Sequence, residues 1–328
     1  MTAALTLADE IPLAPCPPDW SENYCWHGHD AQRGIGFWIH MGTWPLDTRI
    51  WRETIIVFLP DGSAMVQRGY GAGDCAQGPA GALLTMRCAA AAQHWSIHYH
   101  GPGRRTSTAA LLQGGMQENI SELLNMELTL TAYSDIWEFG HRDNTAWGRR
   151  HYEQMLDFRG RIGFGAETLE VAGTAYRDHS RGPRNLGDWR RHNWIQGRLN
   201  DGWGFAIFEL WTDAPEGEKK QLDNAVMIDP AGRILPASIL ASPGLVTPAS
   251  LQADYELVLQ APARRLELRG RARNTIPISF EATTEAYLFG MAADALPFTA
   301  FEQPARFFGN GYDGFGHTER SMRAGSGP

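Results

Sequence analysis

Basic charge is scarce in this chain. Lys and Arg number 29 against 37 Asp and Glu, a formal net charge of -8. A phosphate-binding surface needs a positive stripe that releases counterions, so no nucleic-acid partner is expected. Blocks of like charge are absent as well, which removes an electrostatic tail. No apolar run approaches the length that crosses a bilayer, so no membrane span is expected. Cysteine is sparse: Cys16, Cys25, Cys75 and Cys88, with no Cys-x-x-Cys among them. The opening MTAALTLADEIPLAP has acidic residues and prolines where a secretory leader carries its apolar region. Reduced thiols in a cytoplasmic protein are therefore the expectation. Nucleophile elbows, phosphate loops and dinucleotide fingerprints are missing from any strand–helix context, and Gly34-Ile35-Gly36 is too short to count. Nucleotide chemistry goes with them.

Helical periodicity is also rare, and alternation stands in its place. Met126, Leu128, Leu130 and Ala132 point one way while Glu127, Thr129, Thr131 and Tyr133 point the other. Tyr255, Leu257 and Leu259 repeat the pattern, as do Leu266 and Leu268 against Glu267, Arg269 and Arg271. A period of two means strands with one buried and one wet face. Further strands are expected at Gly36–Met41, Arg52–Leu59, Leu83–Arg87, His94–His100, Leu156–Gly163, Trp203–Trp211 and Ile276–Phe289. Pro60-Asp61-Gly62, Asn200-Asp201-Gly202 and Asp229-Pro230-Ala231-Gly232 supply turns between them. Short helical turns are expected at Met116–Asn125 and Leu186–Arg191, and a fraying tail from Gly314 to Pro328. The 328 residues exceed the usual single-domain size. Two antiparallel β-barrel halves are predicted, residues 1–165 and 166–328, the division falling just after the Gly/Arg-rich stretch Gly140–Arg150.

Aromatic residues are abundant: twelve Trp, nine Tyr and fourteen Phe. They suit pocket walls as well as an aromatic core, because Trp and Tyr bury a large area behind one polar handle. The densest polar segment follows the apolar strand Leu169–Ala175 and reads Tyr176-Arg177-Asp178-His179-Ser180-Arg181, closed by Gly182 and Pro183. If the strand continues, Tyr176 and Asp178 share one face, and Arg177 and His179 the other. Such groups at a strand end serve either a pocket or an Arg–Asp pair that stitches two halves. His192, Trp194, Gln196 and Arg198 would line one side of another strand, and His151-Tyr152-Glu153-Gln154 precede a third. His27 with His29 and Asp30, and His98 with His100, have metal-like i, i+2 spacing. Neither pair has a third ligand at suitable spacing, so no metal and no cofactor are expected.

The run HYEQMLDFRGRIGFGAETLEVAGTAYRDHSRGPR resembles the segment H-x-E-Q, strand, turn, G-x-G-x-R-D-H-S-W-G-x-R of the AttH and carotenoid 1,2-hydratase-like superfamily. That resemblance implies an all-β fold of two tandem lipocalin-like antiparallel barrels with only short helices. It also implies hydratase or cofactor-free cyclase chemistry, some members being Diels–Alderases. His151, Glu153 and Gln154 match the first element, and Arg177, Asp178 and His179 the second. Arg181 stands where the family usually has Trp. The Tyr-x-Asp of carotenoid hydratases is missing from Trp203–Trp211, where Glu209 is the nearest carboxylate, which argues against carotenoid hydration itself.

The expected activity is a cofactor-independent hydratase, dehydratase, cyclase or isomerase acting by proton transfer on a hydrophobic isoprenoid, steroid-like or polyketide-derived small molecule. Asp178 is the expected acid, His179 its partner or the base, and Arg177 the group that orients Asp178 or binds a polar substrate group. Tyr176, Trp189, Trp194 and Trp203 would wall the pocket and stabilise positive charge. Gln196, Glu209, His151, Glu153 and Gln154 complete the expected binding residues. A non-catalytic carrier of an apolar ligand and a cyclase acting by shape alone are the alternatives, and a homodimer is left open.

Overall fold

The computed structural model describes residues 5–13, 20–113, 121–139, 150–183, 189–244, 246–280, 287–291 and 298–323. Strand follows strand throughout, with two short helices, α1 (Leu7–Glu10) and α2 (Thr108–Leu112). Contacts divide the chain into two compact units: Met1–Pro60, Ala64–Arg105 and Asn119–Arg184, and then Asp61–Ser63, Thr106–Glu118 and Asn185–Pro328.

The first unit is built from β1 (Trp20–Asp30), β2 (Ile35–Trp44), β3 (Asp47–Phe58), β4 (Ser63–Gly71), β5 (Leu84–Ala90), β6 (His94–Ser107), β7 (Ser121–Ala132), β8 (Trp137–Phe139), β9 (Arg150–Phe164) and β10 (Glu167–Pro183). Eight of these run in the order β10-β1-β2-β3-β4-β6-β7-β9, and the β9–β10 pairing closes the barrel. The expected division at 165/166 falls in the turn between β9 and β10, and both of those strands lie in the first unit.

The second unit contains β11 (Trp189–Leu199), β12 (Gly204–Ala214), β13 (Gly217–Ile228), β14 (Ile234–Ala241), β15 (Tyr255–Ala261), β16 (Arg264–Ala272), β17 (Ile276–Phe280), β18 (Tyr287–Phe289), β19 (Phe298–Gly309) and β20 (Tyr312–Arg323). Here the closed order is β16-β15-β14-β13-β12-β11-β20-β19, sealed by β16 against β19. Closure removes the unpaired edges that an open sheet would expose.

The alternating strands behave as their patterns require. In β7 the side chains of Leu124, Met126, Leu128 and Leu130 are buried while Glu127 and Thr129 are exposed, and β16 alternates likewise. The turn at Asp229–Gly232 is held by Asp229 Oδ1, which accepts from the N–H groups of Ala231 and Arg233 at 2.9 and 3.0 Å. In each barrel one side chain set fills the lumen: Tyr24, Trp26, Ile39, Val57 and Trp95 in the first, Ile195, Phe205, Met227, Leu257 and Phe307 in the second.

Three local expectations change. Residues 121–125 open β7, with 116–120 outside the described residues, and 189–191 open β11, with 186–188 likewise outside. The expected fraying tail is instead β20 as far as Arg323, paired with both β11 and β19, and only 324–328 lie outside the described residues. Its glycines mark close backbone approach. A Cβ on Gly314 would lie 2.2 Å from the Arg198 carbonyl oxygen, and one on Gly316 only 1.9 Å from that of Gln196. Gly316→Ala must force these strands apart. We expect a loss of about 1–3 kcal/mol, the usual cost of overpacking, read from urea denaturation.

Strands β1 and β2 depart from one-sided burial, since almost every residue in both is buried. The same holds over the second half of β10 and the first half of β9. Polar side chains on the outer face of these strands are therefore shielded from water, and that is where pKa values and hydrogen bonds acquire leverage.

Candidate functional site

Strand β10 runs unbroken through Tyr176–Arg181, so the alternation expected for this segment holds. Register fixes which face is which. Arg177 lies opposite Trp26 and Gln154, and His179 opposite Tyr24 and Tyr152. Because Tyr24 and Trp26 belong to the lumen core, Arg177, His179 and Gln154 point inward.

There they join a closed network. Arg177 donates two hydrogen bonds to Glu10, at 2.8 and 2.7 Å, and two more to Gln154 Oε1. Its guanidinium lies 5.3 Å from the Trp26 and Trp95 ring centroids. Tyr152 Oη stands 2.8 Å from Glu10 Oε2 and 2.5 Å from His179 Nδ1, while His179 Nε2 is 2.9 Å from Glu22 Oε1. Tyr24 stacks on His179 at 3.9 Å and donates to Glu22. Burial lowers the His179 pKa, although Glu22 opposes it. Arg177 and Glu10 are both fully buried. This is a satisfied plug at which the N-terminal α1 closes on the barrel wall. Arg177 pairs with Glu10 rather than orienting Asp178.

Asp178 and Tyr176 point the other way. His151 Nε2 lies 3.2 Å from Asp178 Oδ2 and 3.3 Å from Glu153 Oε1, so one imidazole bridges two carboxylates. Tyr176 donates to Glu153 Oε2 at 2.7 Å, and its ring stacks on His27 at 5.8 Å. The Cys25 N–H donates to Asp178 Oδ1 at 3.0 Å, which fixes that carboxylate. Asp178 is the least buried of the group at 8% exposure, against 0–2% for Glu153, His151 and Tyr176. His179, expected as its partner, lies on the opposite face of the same strand, and the imidazole beside Asp178 is that of His151.

A family described as "Domain of unknown function (DUF7064)" matches residues 6–322 of the chain. The chain belongs to the DUF7064 family. Solved structures share the fold of this DUF7064 protein at low identity. An AttH protein of Nitrosomonas europaea is 15% identical, with 98% of this chain and 99% of that chain covered and a TM-score of 0.52. CghA bound to Sch210972 is 12% identical over 95% of this chain and 90% of that one, TM-score 0.53. Kievitone hydratase of Nectria haematococca is 9% identical over 93% and 89%, TM-score 0.52. No functionally curated protein matches the sequence. The architecture is thus the AttH-like pair of lipocalin-like barrels that the motif resemblance implied.

The remaining expected residues of the DUF7064 chain lie in its second barrel, where they do not form one group. Trp189, Trp194 and Gln196 are buried on the outer face of β11. Glu209 points into the lumen, held by Asn193 Nδ2 at 3.0 Å and Lys220 Nζ at 2.7 Å. Trp203 sits in the turn before β12 at the core's edge, its ring 4.4 Å from the Arg264 guanidinium. Among the described residues no group of three or more His, Cys, Asp or Glu is arranged to hold a metal ion, and no helix is long and apolar enough to cross a membrane. No disulfide joins the described cysteines Cys25, Cys75 and Cys88; Cys16 lies outside them. Glu10, Glu22 and His27 were not anticipated as neighbours of the motif, since each lies more than a hundred residues from it in sequence.

Burial alone would lower the His151 pKa, but Asp178 and then Glu153 outweigh it and raise it to about 9. Burial pushes Glu153 up, although His151 opposes this. A histidine whose folded pKa is raised stabilises fully below its unfolded value near 6.5 and loses that contribution as pH rises through about 9. Unfolding free energy should therefore fall across that window, and His151→Asn should flatten the fall. Urea denaturation at a series of pH values checks this.

Proposed function

We propose that this DUF7064 protein is a cofactor-independent proton-transfer enzyme of the hydratase, dehydratase or cyclase type, acting on a hydrophobic isoprenoid, steroid-like or polyketide-derived molecule. The observation that carries this reading is the His151 bridge between Asp178 and Glu153 on a buried face, built from the residues of the family motif. A proton held by His151 and Asp178 in a dry setting can add to a carbon–carbon double bond, whose π pair forms the new C–H bond; in the reverse sense an adjacent C–H bond breaks, its pair forms the double bond, and the proton returns to His151 and Asp178. Glu153 and Tyr176 hold the imidazole in place, and the Tyr176 and His27 rings offer π faces to a developing cation.

Kievitone hydratase, a neighbour in fold, carries hydration in its name, which agrees with this class of chemistry. The carrier alternative finds less support, because the lumen of the first barrel is occupied by large side chains such as Trp26, Trp51 and Trp95. Incubating the purified protein in D2O with apolar extracts of cells that produce it tests the proposal. A proton-transfer enzyme yields a new product bearing solvent deuterium on carbon. A carrier returns its ligand unchanged.

A further inference from the structure

The outer face of the second barrel holds another chain of titratable groups. His192 Nε2 lies 2.6 Å from Glu319 Oε1, and Glu302 Oε2 lies 2.8 Å from His317 Nε2. Glu302 and Glu319 are register partners on β19 and β20, which sets their carboxyl groups side by side on this face. Two neighbouring carboxyl groups shielded from water favour keeping a proton on one of them. Burial, and then the neighbouring Glu319, push the Glu302 pKa well up. The order across the face is thus His192, Glu319, Glu302, His317.

The chain is closed at one end and open at one point. Glu302 and His317 are buried, whereas the Glu319 side chain is 15% exposed. Ser321 Oγ contacts His192 Nδ1 and fixes the ring. Phe208 and Phe298 both lie nearly parallel to that ring, with centroids 6.3 and 6.1 Å away, and Trp189 meets it edge-on. Aromatic side chains thus hold the His192 ring in place.

Gln196 points to a ligand independently. It is 1% exposed, lies on this same face in register with His317, and neither its amide nitrogen nor its amide oxygen has a hydrogen-bond partner. A buried carboxamide left unfilled on both sides is costly, and a ligand oxygen bonded to its N–H removes part of that cost.

We propose that this face is a second acid–base centre, binding an apolar ketone with its carbonyl oxygen on the Gln196 N–H and its α-carbon at Glu319. It uses no residue of the His151–Asp178 cluster and so goes beyond the function proposed above. In the step, Glu319 takes the α-proton: the C–H bond breaks, its electron pair forms the enolate C=C, and the carbonyl π pair moves onto oxygen. Gln196 stabilises that oxygen. Glu319 passes the proton to His192 Nε2, and the proton on Glu302 stays in place. Return of a solvent-exchanged proton along the same path regenerates the ketone.

The full chain is mixed with 2-tetralone, an apolar bicyclic ketone, in D2O, and loss of the α-hydrogen signals is followed by NMR. The wild type should exchange them faster than buffer alone. Glu319→Gln should slow the protein-dependent exchange by about 10²–10⁴-fold, and Gln196→Leu by about 10²–10³-fold. Should Glu319→Gln not fold, Gln196→Leu carries the same test, since it removes only an unpartnered amide. Infrared spectroscopy adds a readout without substrate: a protonated-carboxyl band in the wild type that Glu302→Gln removes. Exchange at the buffer rate, undiminished exchange in a folded Glu319→Gln or Gln196→Leu variant, or a missing carboxyl band would each overturn the proposal. None of these outcomes depends on whether the Asp178 reading holds.

Discussion

Asp178→Asn should leave the protein folded and lower turnover of its native substrate by about 10²–10⁴-fold, the usual cost of losing a general acid or base. The substitution keeps size and shape, and the asparagine amide oxygen can still accept from the Cys25 N–H that binds Asp178 Oδ1. What disappears is the carboxylate that lies 3.2 Å from His151 Nε2. Ligand affinity should change little, because Asn has the same volume. A structural role makes a different forecast: losing one of two carboxylates around a buried imidazolium would lower the melting temperature and leave the turnover of the surviving folded fraction unchanged. Measuring turnover, affinity and melting on this single variant separates the two. Near-normal turnover in a folded Asp178→Asn protein would sink the catalytic assignment and leave cyclisation by shape, or a carrier.

The largest stability effect should come from Glu10→Ala. Arg177 is fully buried, and it donates two hydrogen bonds to Glu10, a residue 167 positions away. Removing one partner of a buried pair leaves an uncompensated charge, at a cost of about 3–5 kcal/mol. For a unit of this size that corresponds to a fall in melting temperature of roughly 6–20 °C. Deleting the α1 segment should act alike, since it also removes the Tyr152 contact to Glu10. The same pair sets an acid limit. Burial would raise the Glu10 carboxyl, but Arg177 outweighs it and holds it at about 2, below the ordinary 4.5. A carboxylate with a depressed folded pKa stabilises fully above its unfolded value and loses that contribution as pH falls toward the folded one. Stability should therefore drop between about pH 4.5 and 2, and Glu10→Ala should remove this part of the slope. A variant melting within 2 °C of the wild type would mean that Arg177 finds another partner.

Much of the fold can be read from local chemistry. Period-two patterns such as Met126–Leu130 and Leu266–Leu268 demand half-buried strands whatever the rest of the chain does, and Asp-Gly turns demand reversals. The split of Tyr176 and Asp178 from Arg177 and His179 follows from the same alternation. Local pattern fails where a residue has two meanings. Gly314 and Gly316 look like a loose tail, yet they lie where neighbouring backbone leaves no room for a Cβ, which only the paired strand reveals.

Local pattern therefore sufficed for the antiparallel strands, the motif His151–Gln154 with Arg177–His179, and which of those residues can share a face. Tertiary structure decided which face is the lumen. Closing the barrel through β9 and β10 turned Arg177 and His179 inward onto Glu10 and Glu22, and set Asp178 beside His151. The physical reason is that alternation is a property of one strand, whereas an ion pair between residues 10 and 177 exists only after the barrel has closed.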